Sequence, residues 1–217
     1  MTQWSYGDSW ERYPIELGEL WRERKTGSAV MVHDLFNGLP AHMREADLIY
    51  CDPPWNTSNI NAFYTKAGSQ QTRDFMSFAA ILFGAIASIK PSVCYLEIGK
   101  QNLALFEARL KELYPYTQTW PVTYYKRNRS YLVRGSLWGH TGVDFTGMDD
   151  MDTPKTAIRS EPYECVGDLC MGRGLTGITA YQLGKRFVGT ELNKRRLAVL
   201  IDEVAKLGGE WEVDRDA

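Results

Sequence analysis

Apolar residues along this chain fall into two kinds of run. The first is short and rich in β-branched or aromatic residues: SAVMVHDL (28–35), ADLIYCD (46–52), SVCYLEIG (92–99), TQTWPVTYYKR (117–127), YECVGDLC (163–170) and KRFVGTEL (185–192). These runs predict strands. The second kind carries apolar residues at helical spacing. It covers 72–90, which stops at Pro91, then 101–113, 175–183 and 193–207, the last followed by Gly208 and Gly209. Strands and helices alternate, which predicts an α/β protein with a mostly parallel sheet and helices on both faces. Residues 128–160 break the pattern: they are rich in Gly, Ser, Thr and Asp and read as a long irregular insert on the rim. Within them the acidic stretch DFTGMDDMD (144–152) predicts local disorder.

At 217 residues the chain is expected to form one domain with a full core. Hydrophobic residues at 44 % and charged residues at 24 % exclude a disordered or fibrous class. No apolar run reaches the ~18 residues of a membrane helix, so no membrane partner is expected. The opening MTQWSYGDSWERYP lacks the basic start and apolar run of a secretory signal, and the expected location is cytoplasmic. Cys51, Cys94, Cys165 and Cys170 form neither CxxC nor a Cys/His metal spacing; they read as free thiols, with no metal site. The net charge of −2 means that any nucleic-acid contact must rest on local clusters such as Lys126, Arg127 and Arg129.

Two stretches carry chemistry. In VGDLCMGRGLTG (166–177) a strand runs through Gly172, Arg173 and Gly174 into a helix. Backbone can approach a ligand there, and the helix start favours a negative group. Glu191, at the end of the next strand, suits two ribose hydroxyls. The pattern points to an adenosine cofactor, with a purely structural turn as the alternative. Too few residues follow for an ordinary dinucleotide domain. The other stretch is DLIYCDPPWNTS (47–58), where Asp52 ends a strand and meets two prolines and a tryptophan. Pro53 and Pro54 fix two φ angles and remove two amide donors. A carboxylate and a carbonyl aimed at one point suit an amino group with two hydrogens, and Trp55 can stack on a flat base beside it.

Asp52-Pro53-Pro54-Trp55 resembles the D-P-P-[YFW] motif of amino-methyltransferases acting on adenine or cytosine. Val166 to Gly177 resembles their cofactor loop D-x-F-x-G-x-G-x-T, with Cys170 in place of Phe. Val188 to Leu192 resembles the acidic strand end that follows, and Val32-His33-Asp34 the Gly-Asp that precedes the catalytic motif, with His for Gly. Residues 160–163, SEPY, stand where a short Lys-Pro element is usual, without the lysine. The catalytic motif precedes the cofactor loop, the permuted beta-class order. The resemblance covers roughly residues 28–100 and 160–205. It implies a Rossmann-like methyltransferase fold with a seven-stranded, mostly parallel sheet and circularly permuted motifs. It also implies S-adenosylmethionine as cofactor and methyl transfer to the N6 amino group of a flipped-out adenine in DNA. Asp52, the Pro53 carbonyl, Pro54 and Trp55 would form the catalytic loop. Asp34, Asp52, Asp168, Cys170, Gly172, Gly174, Thr176 and Glu191 would surround the cofactor, Asp34 at its adenine and Glu191 at its ribose. Asn56 would order the loop beside the nucleic acid, and Tyr64 is a weaker candidate for the second face of the base.

The stretch YYKRNRSYLVRG (124–135) interleaves aromatic and basic residues, and Lys126, Arg127, Arg129 and Arg134 are the candidate nucleic-acid contacts. With the insert of 128–160 as the target-recognition region, its small size predicts a short or relaxed recognition sequence, or a homodimer sharing the task. RNA adenine and the N4 amino group of DNA cytosine are the alternative acceptors; Asp rather than Ser at position 52 favours adenine. A nicotinamide-linked oxidoreductase would leave Asp52-Pro53-Pro54-Trp55 unexplained. A silent nucleic-acid-binding subunit would more readily have lost Asp52 or a glycine. The N-terminal segment with Trp4, Trp10 and Trp21 is expected either to pack across the sheet or to form a dimer face.

Overall fold

Each parallel strand is short and hydrophobic on both sides, so it must be covered on both faces. A computed structural model describes residues 7–125 and 128–214. The strands are β1 (Leu20–Glu23), β2 (Ala29–Val32), β3 (Leu48–Cys51), β4 (Val93–Gly99), β5 (Tyr116–Tyr124), β6 (Asn128–Ser136), β7 (Cys165–Asp168), β8 (Arg186–Glu191) and β9 (Trp211–Asp214). The helices are α1 (Ser9–Arg12), α2 (Thr57–Lys66), α3 (Phe75–Ile89), α4 (Leu103–Leu113), α5 (Asp152–Ser160), α6 (Leu175–Gln182) and α7 (Lys194–Lys206). Among the described residues the strands form one sheet in the order β5-β6-β4-β3-β7-β8-β2-β1-β9.

The centre, β4-β3-β7-β8-β2, is parallel. Both flanks are antiparallel: β6 and β5 beyond β4, β1 and β9 beyond β2. The nine described strands correct the expectation of seven. The excess comes partly from β1 and β9, short strands whose charged, alternating residues gave no hydrophobic run. Trp21 lies in β1 and Trp10 in α1, which packs on α7 with Ser9 and Arg12 bonded to Asp202. The N-terminal segment therefore extends the sheet and its helical cover, while Trp4 lies outside the described residues.

Alternation divides the core. Ile49, Cys51, Cys94, Leu96 and Ile98 pack with α2, α3 and α4 on one face. Leu48, Tyr50, Val93 and Tyr95 pack with α5, α6 and α7 on the other. The period-2 pleat sends neighbours in each strand to opposite layers, so helices on both faces follow from strands apolar at every position. The helix α3 begins where Asp74 caps it, accepting the Ser77 amide at 2.9 Å, and ends where Lys90 turns left-handed before Pro91.

Residues 128–160 are not an irregular insert. They supply β6, which pairs with β4 from Val93–Ser136 to Gly99–Ser130, and α5, which packs on α6. Nor is 144–152 disordered: Phe145 is entirely buried against Trp120 and Tyr95, and Asp149 accepts the amides of Met151 and Asp152. Gly, Ser and the charged residues of 128–136 masked the strand, which is held between its hairpin neighbour β5 and the distant β4. Arg134 is likewise no phosphate contact. It is 2 % exposed, its guanidinium donating to Glu161 at 2.7 Å, to the Tyr95 hydroxyl and to the Gly139 carbonyl. Glu161, in the SEPY segment, is thus its counter-ion.

Removing one partner of a buried ion pair leaves the other charge uncompensated. Glu161→Ala is expected to lower stability by about 3–5 kcal/mol, read from urea denaturation. An unchanged midpoint would show that Arg134 needs no counter-ion.

Candidate active site

Parallel strands all present their carboxyl ends at one edge, and here that edge carries a row of acids. In sheet order they are Glu97 on β4, Asp52 after β3, Asp168 ending β7, Glu191 ending β8 and Asp34 after β2. All five line one cavity of about 1040 Å³. The connections from β3 and β7 leave in opposite directions, toward β4 and toward β8, so the cavity opens at the topological switch point.

Asp52-Pro53-Pro54-Trp55 is locked by bonds that the prolines do not make. The Trp55 indole donates to Asp52 Oδ1 at 3.0 Å, and the Trp55 carbonyl accepts from Asn102 at 2.7 Å. Tyr124 meets the indole edge to face at 4.9 Å and lines the same cavity. Beneath the ring lies Gly99, where a Cβ would come within 2.9 Å of Trp55 Cε3, so any larger residue would push the ring away. Asn56 caps α2, accepting the Asn59 amide at 2.9 Å. Its side-chain oxygen thus orders the start of α2, and Asn56 does not line the cavity. Half-buried Asp52 faces the cavity, and desolvation pushes its carboxyl up to about 7 against the lowering effect of the Trp55 indole and the nearby Tyr124 hydroxyl.

The glycine turn holds the next two acids. Asp168 accepts from the Cys170 amide at 3.0 Å and from the Thr176 hydroxyl at 3.1 Å. Burial pushes it, too, up to about 7. Glu191 accepts the amides of Gly172 at 2.8 Å and Asn193 at 2.9 Å, and burial raises its carboxyl. Gly172 has φ +57° and Gly174 φ +79°, a left-handed pair that turns the chain from β7 into α6. Their duties differ. Gly172 borders the cavity, with nothing near the position of a Cβ, whereas a Cβ on Gly174 would lie 2.6 Å from Leu200. Gly174 is therefore not a cavity residue as expected: it lets α7 approach. Cys170 and Thr176 do line the cavity.

At the far end Asp34 accepts the Phe36 amide at 3.0 Å and the Tyr64 hydroxyl at 2.7 Å. Tyr64 is buried and braces this end of the cavity, so it is not the second face of a base beside Asp52. Arg129 is exposed on the β5–β6 hairpin, and Tyr125, at its tip, lines the cavity mouth. Lys126 and Arg127 lie outside the described residues.

Sequence reading missed Glu97, Tyr124 and Asp150. Glu97 had a signal: it is a lone charge within the apolar run SVCYLEIG. It is 2 % exposed and accepts the Tyr50 hydroxyl at 3.1 Å, and burial together with the charge of Asp52 holds its carboxyl well above the usual range. Tyr124 and Asp150 gave none, because only the β5–β6 hairpin brings them to the cavity; Asp150 accepts the Tyr125 amide there at 3.1 Å.

No family model and no curated protein matches the sequence. Solved structures do share the fold. TTHA0409 from Thermus thermophilus, assigned as a DNA modification methylase and complexed with S-adenosyl-L-methionine, aligns at a TM-score of 0.56 and 15 % identity, over 82 % of this chain and 93 % of that one. The complex of M1.HpyAVI with SAM aligns at 0.54 and 12 % identity, over 81 % and 98 %. PvuII DNA methyltransferase (cytosine-N4-specific) aligns at 0.49 and 11 % identity, over 90 % and 98 %, below the level at which a shared fold follows.

The Asp52 carboxyl at about 7 stands above its ordinary value of 3.8. Folding therefore favours its protonated form, and its contribution to stability falls as pH rises from about 4 through about 7. Asp52→Asn is expected to match the parent at pH 4 and to exceed it at pH 8 by about 1–3 kcal/mol, read from urea denaturation across that range. A pH-independent difference would place Asp52 in water.

Proposed function

We propose that this chain is a DNA adenine methyltransferase that uses S-adenosylmethionine to methylate the N6 amino group of a flipped-out adenine. The observation that carries the reading is the cavity shared by Asp52-Pro53-Pro54-Trp55 and by the acids and glycine turn of β7 and β8. Two motifs about a hundred residues apart in sequence, each matched to one half of a methyl transfer, meet there. Two solved structures of like fold hold that cofactor.

The residues present fit the cofactor. Gly172 leaves room beside its backbone, Asp34 and Glu191 lie on adjacent strands at the same edge, and the cavity is large enough for an adenosine and a base together. Glu191 and Asp34 would hold its ribose and adenine, with Asp168 and Gly172 at the methionine end. When bound, the cofactor supplies an electrophilic sulfonium methyl group.

The task of the protein is to make an aromatic amine nucleophilic. Its lone pair is drawn into the ring, and Asp52 with the Pro53 carbonyl accepts its two hydrogens, turning the nitrogen toward tetrahedral geometry. Asp52 must be ionised to accept in this way. The bond from the Trp55 indole favours that form and aims the carboxylate. Holding both reactants in line then supplies most of the acceleration. A duplex base reaches this depth only by leaving its stack. The β5–β6 hairpin, with exposed Tyr125 and Arg129 beside the cavity mouth, supplies aromatic and phosphate contacts to the displaced strand. Adenine over cytosine rests on Asp rather than Ser at position 52.

The decisive assay follows label from radiolabelled S-adenosylmethionine into unmethylated duplex DNA, single-stranded DNA and RNA, with nucleoside analysis. Label is expected in 6-methyladenine of DNA, with Asp52→Ala lowering kcat by about 10³-fold or more while cofactor affinity stays within a few fold. Glu191→Gln is expected to weaken cofactor binding instead. Label confined to RNA or to cytosine would correct the substrate, and absence of cofactor binding would overturn the reading.

A further inference from the structure

One carboxyl in the cavity has no task in that scheme. Glu97 is 2 % exposed, yet its Oε1 has no hydrogen-bond partner among the described residues. A buried polar atom without a partner is costly, and it persists where a ligand completes it. Its place in the sheet identifies what it faces. Cys51 on β3 stands level with Leu96 on β4, so Glu97 is the neighbour of Asp52 across the sheet, and both line the cavity.

We propose that Glu97 is a specificity-determining residue, whose Oε1–H donates to the bare ring nitrogen next to the amino group that Asp52 accepts. This inference rests on the amino-methyltransferase reading.

The bonding pattern around Glu97 leads there. Tyr50, on β3, donates its hydroxyl to Oε2, so in the neutral acid that burial favours Oε2 serves as the carbonyl and Oε1 is the oxygen free to carry the proton. Asp52 and Asp150 face the same carboxyl, as does the Tyr124 ring, and no cation is among the groups that shift it; two charged neighbours of like sign disfavour a third. The cavity therefore presents an acceptor, Asp52, beside a donor, Glu97. That pair is the complement of an N=C–NH2 edge, which adenine and cytosine both possess. Hypoxanthine and thymine, and guanine at its N1–C6 edge, offer N–H beside C=O. They would set donor against donor and acceptor against acceptor, with both clashes buried.

The test compares kcat/KM on two duplex oligonucleotides, one carrying the mapped target adenine and the other 1-deazaadenine at that place, in which a C–H replaces the ring nitrogen. The parent enzyme is expected to favour adenine by roughly 10- to 100-fold, the worth of one buried hydrogen bond. Glu97→Gln, which keeps a donor, should retain the preference. Glu97→Leu should be slow on adenine and should no longer distinguish the two. Equal turnover of both substrates by the parent would overturn the proposal without any variant, as would a Glu97→Leu enzyme with the full preference; methylation of adenine would persist in both cases and leave the function standing. If the parent transfers no methyl group to adenine, the proposed function falls and this inference with it.

Discussion

The cavity depends on the parallel pairing of β3 with β7. Leu48 stands level with Val166 and Ile49 with Gly167, so the strand ends bearing Asp52 and Asp168 emerge side by side. Two features hold that pairing. Gly167 has no side chain to keep the layers apart: a Cβ there would lie 2.7 Å from both Ala46 and Ile49. Asp47, just before β3, accepts the amides of Glu164 and Cys165 at 2.9 and 3.0 Å, fixing the register from the other end. A slip by one residue would turn Leu48 and Ile49 into the wrong layers and part the two motifs.

Once those ends are adjacent, the rest of the row follows from topology. Each of the five parallel strands delivers one acid to the same edge, and the sheet spaces them by one strand. So many carboxyls in a shielded cavity cannot all ionise cheaply. Asp52 and Asp168 rise to about 7, and Glu97 and Glu191 rise as well. The protein answers with local donors: an indole on Asp52, backbone amides on Asp168 and Glu191. Each acid thereby acquires a separate state, which lets one act as acceptor while its neighbour acts as donor. The cost that this places on the fold is offset by the two hydrophobic cores on either side of the sheet.

The elements legible in advance were those that the chain writes locally. Continuous apolar runs marked the parallel strands, and helical spacing with its caps marked α3, α4, α6 and α7, because burial on both faces and the 3.6-residue period each leave a local signature. Asp52-Pro53-Pro54-Trp55 and the Gly172–Gly174 turn were legible for the same reason: rigid φ angles, a left-handed turn and a strand-end acid are properties of a few consecutive residues. An α/β sheet, its two loops of chemistry and the order in which they occur were thus already written in the chain. What those loops face was settled only when the sheet assembled. Assembly turned residues 128–160 from an apparent loop into β6 and α5, buried Arg134 against Glu161, assigned Gly174 to α7 rather than to the cavity, and set Glu97, Tyr124 and Asp150 around Asp52. The outer pairings of β6 with β4 and of β1 with β9, the buried ion pair and the cavity walls are made between segments tens of residues apart. No period in the chain records which distant residue will complete a hydrogen bond or share a low-dielectric space.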